Sequence, residues 1–215
     1  RHAATASILT RRDTIVVASV SCIYGIGDVE DYKSKMLILS VGDEISRDEV
    51  MMRLIDMLYE RNSLDLKRGT FRARGDILEI MPVNQHGKGI RIDFFGDEID
   101  KIVEFDSLTG VVLANKKSIS LYPASHFVTT DEKLKLAVSN IKKELDETVQ
   151  YFEDNNKLLE KQRITERTNY DMELLAETGF CHGIENYSRH LALKKEGETP
   201  TCLLDFFPKD YLMVI

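Results

Sequence analysis

The chain has 215 residues, 43% of them hydrophobic and 30% charged, with a formal net charge of −7. That is enough apolar material for one large domain or two ordinary ones, and no apolar run approaches the roughly 20 residues of a membrane-spanning helix. The acidic balance argues against bulk polyanion binding. Three cysteines, Cys22, Cys181 and Cys202, are too few and too scattered for a disulfide framework and suit a reducing, cytoplasmic compartment. Cys181, His182, His190 and Cys202 lack metal-ligand spacing, so zinc is set aside. The chain opens on Arg1-His-Ala-Ala without Met and stops on the apolar run Tyr211-Leu-Met-Val-Ile215, which reads as two cut ends.

In chain order, the first element is the β-branched run Asp13-Thr-Ile-Val-Val-Ala-Ser-Val-Ser21, whose continuous apolar character predicts a strand buried on both faces of a parallel sheet. Gly25-Ile-Gly27 follows it as a turn. A dinucleotide loop would need a third glycine, and Asp28 would repel phosphate, so nucleotide binding there is rejected. No GxxxxGK[ST] loop occurs anywhere. Ser46-Arg-Asp-Glu49 has the form of a capping box, and Val50, Leu54, Met57 and Leu58 continue it at helical spacing. Segments 69–75, 76–81, 89–95 and 98–105 each alternate apolar with polar residues between Gly, Asn or Asp joints, which predicts an antiparallel meander with one solvated face.

Thr129-Thr-Asp-Glu132 predicts the start of a long helix carrying the stripe Leu134, Val138, Ile141, Leu145, Val149 and Phe152. A second helix is expected over 157–177, closed by Gly179. Segment 202–215 reads as a proline turn before a buried strand. The domain plan is therefore three-part. Residues 1–31 supply a βα piece of a parallel-sheet domain, 32–127 form an inserted α+β module, and 128–215 form a helical segment returning to the sheet.

Charge is unevenly spread. Between Arg61 and Arg91 there are seven cations, Arg61, Lys67, Arg68, Arg72, Arg74, Lys88 and Arg91, against Asp65, Asp76 and Glu79, a local +4 in an acidic chain. In Phe71-Arg-Ala-Arg74 the two arginines are two residues apart and share one face of a strand. Three readings stay open at this level: a solvated face, a surface for a carboxylate-rich protein, or one for a phosphate backbone, since guanidinium forks pair with either anion.

The segments Arg1-His-Ala-Ala-Thr-Ala-Ser7, Val16-Val-Ala-Ser-Val-Ser-Cys-Ile-Tyr-Gly-Ile-Gly27, Phe71-Arg-Ala-Arg-Gly-Asp76, Arg91-Ile-Asp-Phe-Phe-Gly-Asp97, Gly183-Ile-Glu-Asn-Tyr-Ser-Arg-His190 and Leu203-Leu-Asp-Phe-Phe-Pro208 together resemble the UvrB family, the B subunit of the bacterial excision-repair nuclease. The resemblance runs the length of the chain. It implies an internal piece of a helicase-like ATPase with a RecA-type sheet, which is loaded onto damaged DNA by UvrA, checks the lesion and recruits UvrC. ATP and Mg2+ are implied for the longer protein only. The phosphate loop would precede Arg1 and the Asp-Glu box would follow Ile215, so no cofactor and no ATP hydrolysis are expected of this chain alone.

Position by position, the resemblance gives the inserted module as the UvrA-binding domain, with Arg61, Arg72, Arg74, Arg91 and Asp93 at contact positions. The family commonly has Glu where Asp93 stands. It also gives Ser19, Ser21, Tyr24, Arg167, Glu185 and Tyr187 as residues along the DNA path. The alternative within the same biology is the similar UvrA-binding module of a transcription-repair coupling factor.

Overall fold

In a computed structural model describing residues 1–215, the chain groups into two units. The first comprises Arg1–Ala18, Tyr32–His126 and Phe206–Ile215, the second Ser19–Asp31 and Phe127–Asp205.

The first unit begins with helix α1 (His2–Thr10), which buries Thr5, Ala6 and Ile8. The division between units falls inside the short helix α2 (Val29–Ser34), whose first turn is capped by Asp28 accepting from the Glu30 and Asp31 amides. Strand β1 (Leu37–Ser40) leads to α3 (Arg47–Asp56), where Ser46 accepts from the Glu49 amide as the capping-box spacing predicts. The remaining strands are β2 (Glu60–Arg61), β3 (Thr70–Arg74), β4 (Ile77–Ile80), β5 (Lys88–Phe95), β6 (Glu98–Asp106), β7 (Val112–Lys116) and β8 (Ser118–Leu121).

Strands β2 to β7 form one six-stranded sheet in chain order, antiparallel throughout except for the short parallel β2–β3 pair. A separate antiparallel pair joins β1 to β8. The alternation seen in the sequence now has a physical cause. Phe71, Leu78, Ile80, Ile90, Ile92 and Ile102 project from one face and pack with Val50 and Leu54 of α3, and with Met57 just beyond its end, in a single apolar core. Each such side chain, once buried, contributes about 1.5–3 kcal/mol, so a one-residue slip in register would forfeit the set. The four predicted strands are all present. The short strands β1, β2, β7 and β8 carry no run of alternation long enough to mark them in the sequence; in β7 no residue is fully buried.

The second unit is helical. Its helices are α4 (Asp131–Asp154), α5 (Leu158–Thr178) and the single turn α6 (Ser188–Leu191). Along α4, Ala137, Ile141 and Leu145 are buried, with Leu134, Val138 and Val149 packed around them. Met172 and Leu175 of α5, with Cys181, Ile184 and Leu191, complete this second core. Gly179 ends α5 in the left-handed region at φ 72°, its amide reaching the Leu175 carbonyl, where a glycine carries no steric penalty. The cap of α4 is one residue later than expected. Thr130 accepts from the Lys133 amide, while the Thr129 hydroxyl donates to Asp31.

Two predicted strands do not form. Across 13–21 the backbone is irregular, with a 3-10 turn at Val20–Cys22, and Ile15 and Val17 are 91% and 95% exposed. Segment 211–215 is likewise unpaired and exposed. The proline turn before it is a 3-10 turn at Leu203–Phe206. A strand exists only through its ladder partners, and no other strand of this chain pairs with either run. The observed fold is therefore mixed α/β with antiparallel and mixed sheets and a helical unit, without a paired parallel sheet built from these two runs.

Candidate functional site

The face of the six-stranded sheet opposite the apolar core carries the charge. Register places Arg72 directly across from Glu79, and Glu79 across from Arg91. Glu79 is only 6% exposed, a depth at which a carboxylate needs partners. It has two. Arg72 donates through Nε to Oε2 at 2.6 Å, and Arg91 donates to Oε1 through Nε at 3.0 Å and Nη2 at 2.8 Å. Burial alone would raise the Glu79 carboxyl, yet the hydrogen bonds from Arg72 and Arg91, with their charges, outweigh it and hold its pKa below the ordinary value.

Beneath Arg91 lies Phe105, its ring centroid 5.0 Å from the guanidinium carbon, within cation–π range. That ring lies against Gly89, its partner across β5 and β6. A Cβ at Gly89 would stand 2.3 Å from the ring edge, so only glycine leaves room for the aromatic floor. The next row along the face runs Arg74, Ile77, Asp93, Lys101. The Arg74 side chain is exposed and makes no ion pair or hydrogen bond. Asp93 is half-buried, and its Oδ1 is shielded from solvent without a hydrogen-bond partner.

The structure therefore brings four of the five expected docking residues onto one face: Arg72, Arg74, Arg91 and Asp93. The fifth, Arg61, is exposed on the edge strand β2 opposite Phe71, one step out of register with Arg72. The face is not a simple solvated row, because Arg72 and Arg91 are fixed and partly buried. Glu79, Phe105 and Gly89 were not among the expected residues. Alternation placed Glu79 opposite the apolar face, but only strand register shows that both arginines meet on it.

The residues expected along a nucleic-acid path all lie in the second unit, in three places. Ser19 and Ser21 share a hydroxyl contact at 2.9 Å on the exposed 3-10 turn. Tyr24 and Glu185 both line a cavity of about 320 Å3, with Ile26, Phe127 and Leu191 among its walls. Arg167 and Tyr187 meet at Asp171, which is buried and was not anticipated, although its i,i+4 spacing from Arg167 was a readable signal. Tyr187 donates to Asp171 at 2.7 Å and Arg167 Nε stands 3.8 Å from the same oxygen. Burial first, then the bond to Asp171, pushes the Tyr187 hydroxyl up to about 12, so it stays a donor at neutral pH.

Cys181 is buried in the helical core, where desolvation pushes its thiol up to about 11, the opposite of what a reactive thiolate needs. No group of three or more His, Cys, Asp or Glu converges as a metal site, and no helix is long and apolar enough to cross a membrane.

Comparison with known proteins follows this division. A family model described as the UvrB interaction domain matches residues 37–127, the stretch that holds the charged face. A second, the UvrB third helical domain, matches 132–193. Over all 215 residues the chain is 52% identical to UvrABC system protein B of Oceanobacillus iheyensis, 54% to that of Bacillus anthracis and 52% to that of Geobacillus kaustophilus. It spans about a third of the length of these relatives. The helical-domain match and the end-to-end alignments favour the UvrB resemblance over the coupling-factor alternative.

Proposed function

Since this chain belongs to the UvrB family, we propose that it is the partner-docking and helical part of a damage-recognition subunit in bacterial nucleotide excision repair. Residues 32–127 form the module that docks on UvrA, and the carrying observation is the face built from Arg72, Arg74, Arg91 and Asp93, with Arg61 at its edge. Guanidinium groups pair bidentately with carboxylates. A fixed arginine array beside an unfilled acceptor suits a partner that offers both acids and a donor.

Residues 1–31 and 128–215 belong, on this reading, to the helicase-like part of the protein. Runs 13–21 and 211–215 would be strands of a RecA-type parallel sheet completed by segments that the longer relatives supply. Ser19, Ser21, Tyr24, Arg167, Glu185 and Tyr187 would lie along the path of damaged DNA, and UvrC would be met by the longer protein. ATP and Mg2+ would belong to the longer protein: this sequence has no glycine-rich lysine loop to cradle a triphosphate, and no catalytic step is assigned to it. The cytoplasm is the compartment that goes with this role.

The test is a pull-down of UvrA by the 215-residue chain. Charge reversal at Arg72 and Arg74 together is expected to abolish capture while the circular-dichroism spectrum is retained. Undiminished capture by that variant would remove the docking reading. For the DNA path, low-salt titration with single-stranded DNA should show affinity that falls steeply as salt rises.

A further inference from the structure

The contacts of Glu79 go beyond a neutralising ion pair. We propose that Glu79 is the positioning residue of the docking face, locking Arg72 and Arg91 so that their remaining donors stand preset for the carboxylates of the docking protein. This rests on the docking reading above and deepens it. Three observations carry it. Glu79 is more deeply buried than either arginine it holds, with side-chain exposure of 8% against 22% and 28%, so the carboxylate is the foundation and the guanidinium groups are the surface. The bonding is also selective. Arg72 spends only Nε on Glu79 and keeps both Nη groups, while Arg91 spends Nε and Nη2 and keeps Nη1. Finally, the Phe105 ring under Arg91, possible only above Gly89, removes the conformations in which that guanidinium could fold back onto the sheet.

Holding an arginine before the partner arrives removes an ordering cost that docking would otherwise carry. A lysine could not take this part, because its compact ammonium has no second rigid edge to present once one carboxylate is bound. Arg74, whose side chain is exposed and makes no ion pair or hydrogen bond, is the internal contrast. It contributes charge without preset geometry.

The first test needs neither a variant nor a partner. Side-chain nitrogen relaxation on the 215-residue chain should find rigid Nε–H groups at Arg72 and Arg91 and a mobile one at Arg74. Equal mobility at all three overturns the proposal. The second uses purified UvrA. Glu79→Gln, which keeps shape and removes charge, is expected to weaken binding roughly 5- to 150-fold, the range for releasing two side chains of this kind. That loss should vanish in a chain already carrying Arg72→Lys and Arg91→Lys. Persistence of the loss in that background would mark a merely structural role and overturn the proposal. If Arg72→Glu with Arg74→Glu abolishes binding but Glu79→Gln does not weaken it, Glu79 alone loses its role. If the arginine reversal also has no effect, the docking reading itself falls.

Discussion

The sheet of the first unit holds two buried carboxylates, each gripped by two cations, and they differ in an instructive way. Glu79 is 6% exposed and is held by Arg72 and Arg91. Glu104 is 8% exposed and is held by Lys88 at 2.8 Å and Lys116 at 3.3 Å. The second clamp projects from the other face, since Glu104 lies in register with Ile90, in the row of the apolar core, near the strand ends. Its lysines are 49% and 38% exposed. For Glu104 the Lys88 hydrogen bond is the largest influence, burial opposes it, and Lys116 adds to it, giving a lowered pKa. The lysine clamp stitches β5, β6 and β7 together at a wet margin. The arginine clamp sits deeper, on an aromatic floor, and still has donors to offer. Two similar charge triads thus differ in cation type, depth and the donors they leave unspent.

Removing the floor should break the comparison most severely. Phe105 is buried, and Phe105→Ala is expected to cost about 3–5 kcal/mol, as for other large-to-small core changes, measured by urea denaturation. The lysine clamp has no such floor, so a cost under about 1 kcal/mol would mean that the ring is not what distinguishes the two sites. Glu79→Gln comes next, at about 2 kcal/mol. Breaking a fully buried pair costs about 3–5 kcal/mol, but these arginines still reach water and can partly rehydrate. Glu104→Gln, with half-exposed partners, should cost about 1 kcal/mol or less. Equal costs for the two would erase the distinction in depth.

This contrast explains what could be read from the sequence. Strands 70–74, 77–80, 88–95 and 98–106 were legible because a core on one face imposes period-two alternation, and α3 because Ser46 and Glu49 mark its start. The arginine face was legible in part: Arg72 and Arg74 had to share a face, whatever the register. That Glu79 joins Arg72 to Arg91 depends on pairing across three strands, which no local pattern encodes. Segments 13–21 and 211–215 failed for the opposite reason. Their composition records a preference for burial in a ladder, and composition cannot say whether the partner strands are present.

Acid should separate the clamps more finely. Both carboxyls have pKa values lowered by folding, so each contributes stability that is fully present above the unfolded carboxylate value near 4.3 and is lost as pH falls through the lower folded value. Wild-type stability should therefore decline below about pH 4, where the unfolded glutamate begins to take up protons the folded one refuses. Glu79→Gln and Glu104→Gln should each show a shallower acid limb. An unchanged limb in either variant would mean that its carboxylate does not contribute to acid sensitivity.

Salt offers the smallest and most discriminating effect. The screening length falls from about 10 Å at 0.1 M to about 3 Å at 1 M, and exposed pairs lose more than buried ones. Urea denaturation of wild type and the two glutamine variants, repeated at 0.1 and 1 M sodium chloride, should show the cost of Glu104→Gln shrinking by up to about 0.5 kcal/mol, because its two lysines stand half in solvent. The cost of Glu79→Gln should persist, because its bonds to Arg72 and Arg91 are direct, short and largely hidden from ions. If both costs collapsed together, water would reach the arginine clamp as freely as the lysine one. Arg72 and Arg91 would then be surface charges like Arg74, with no preset geometry to offer a partner.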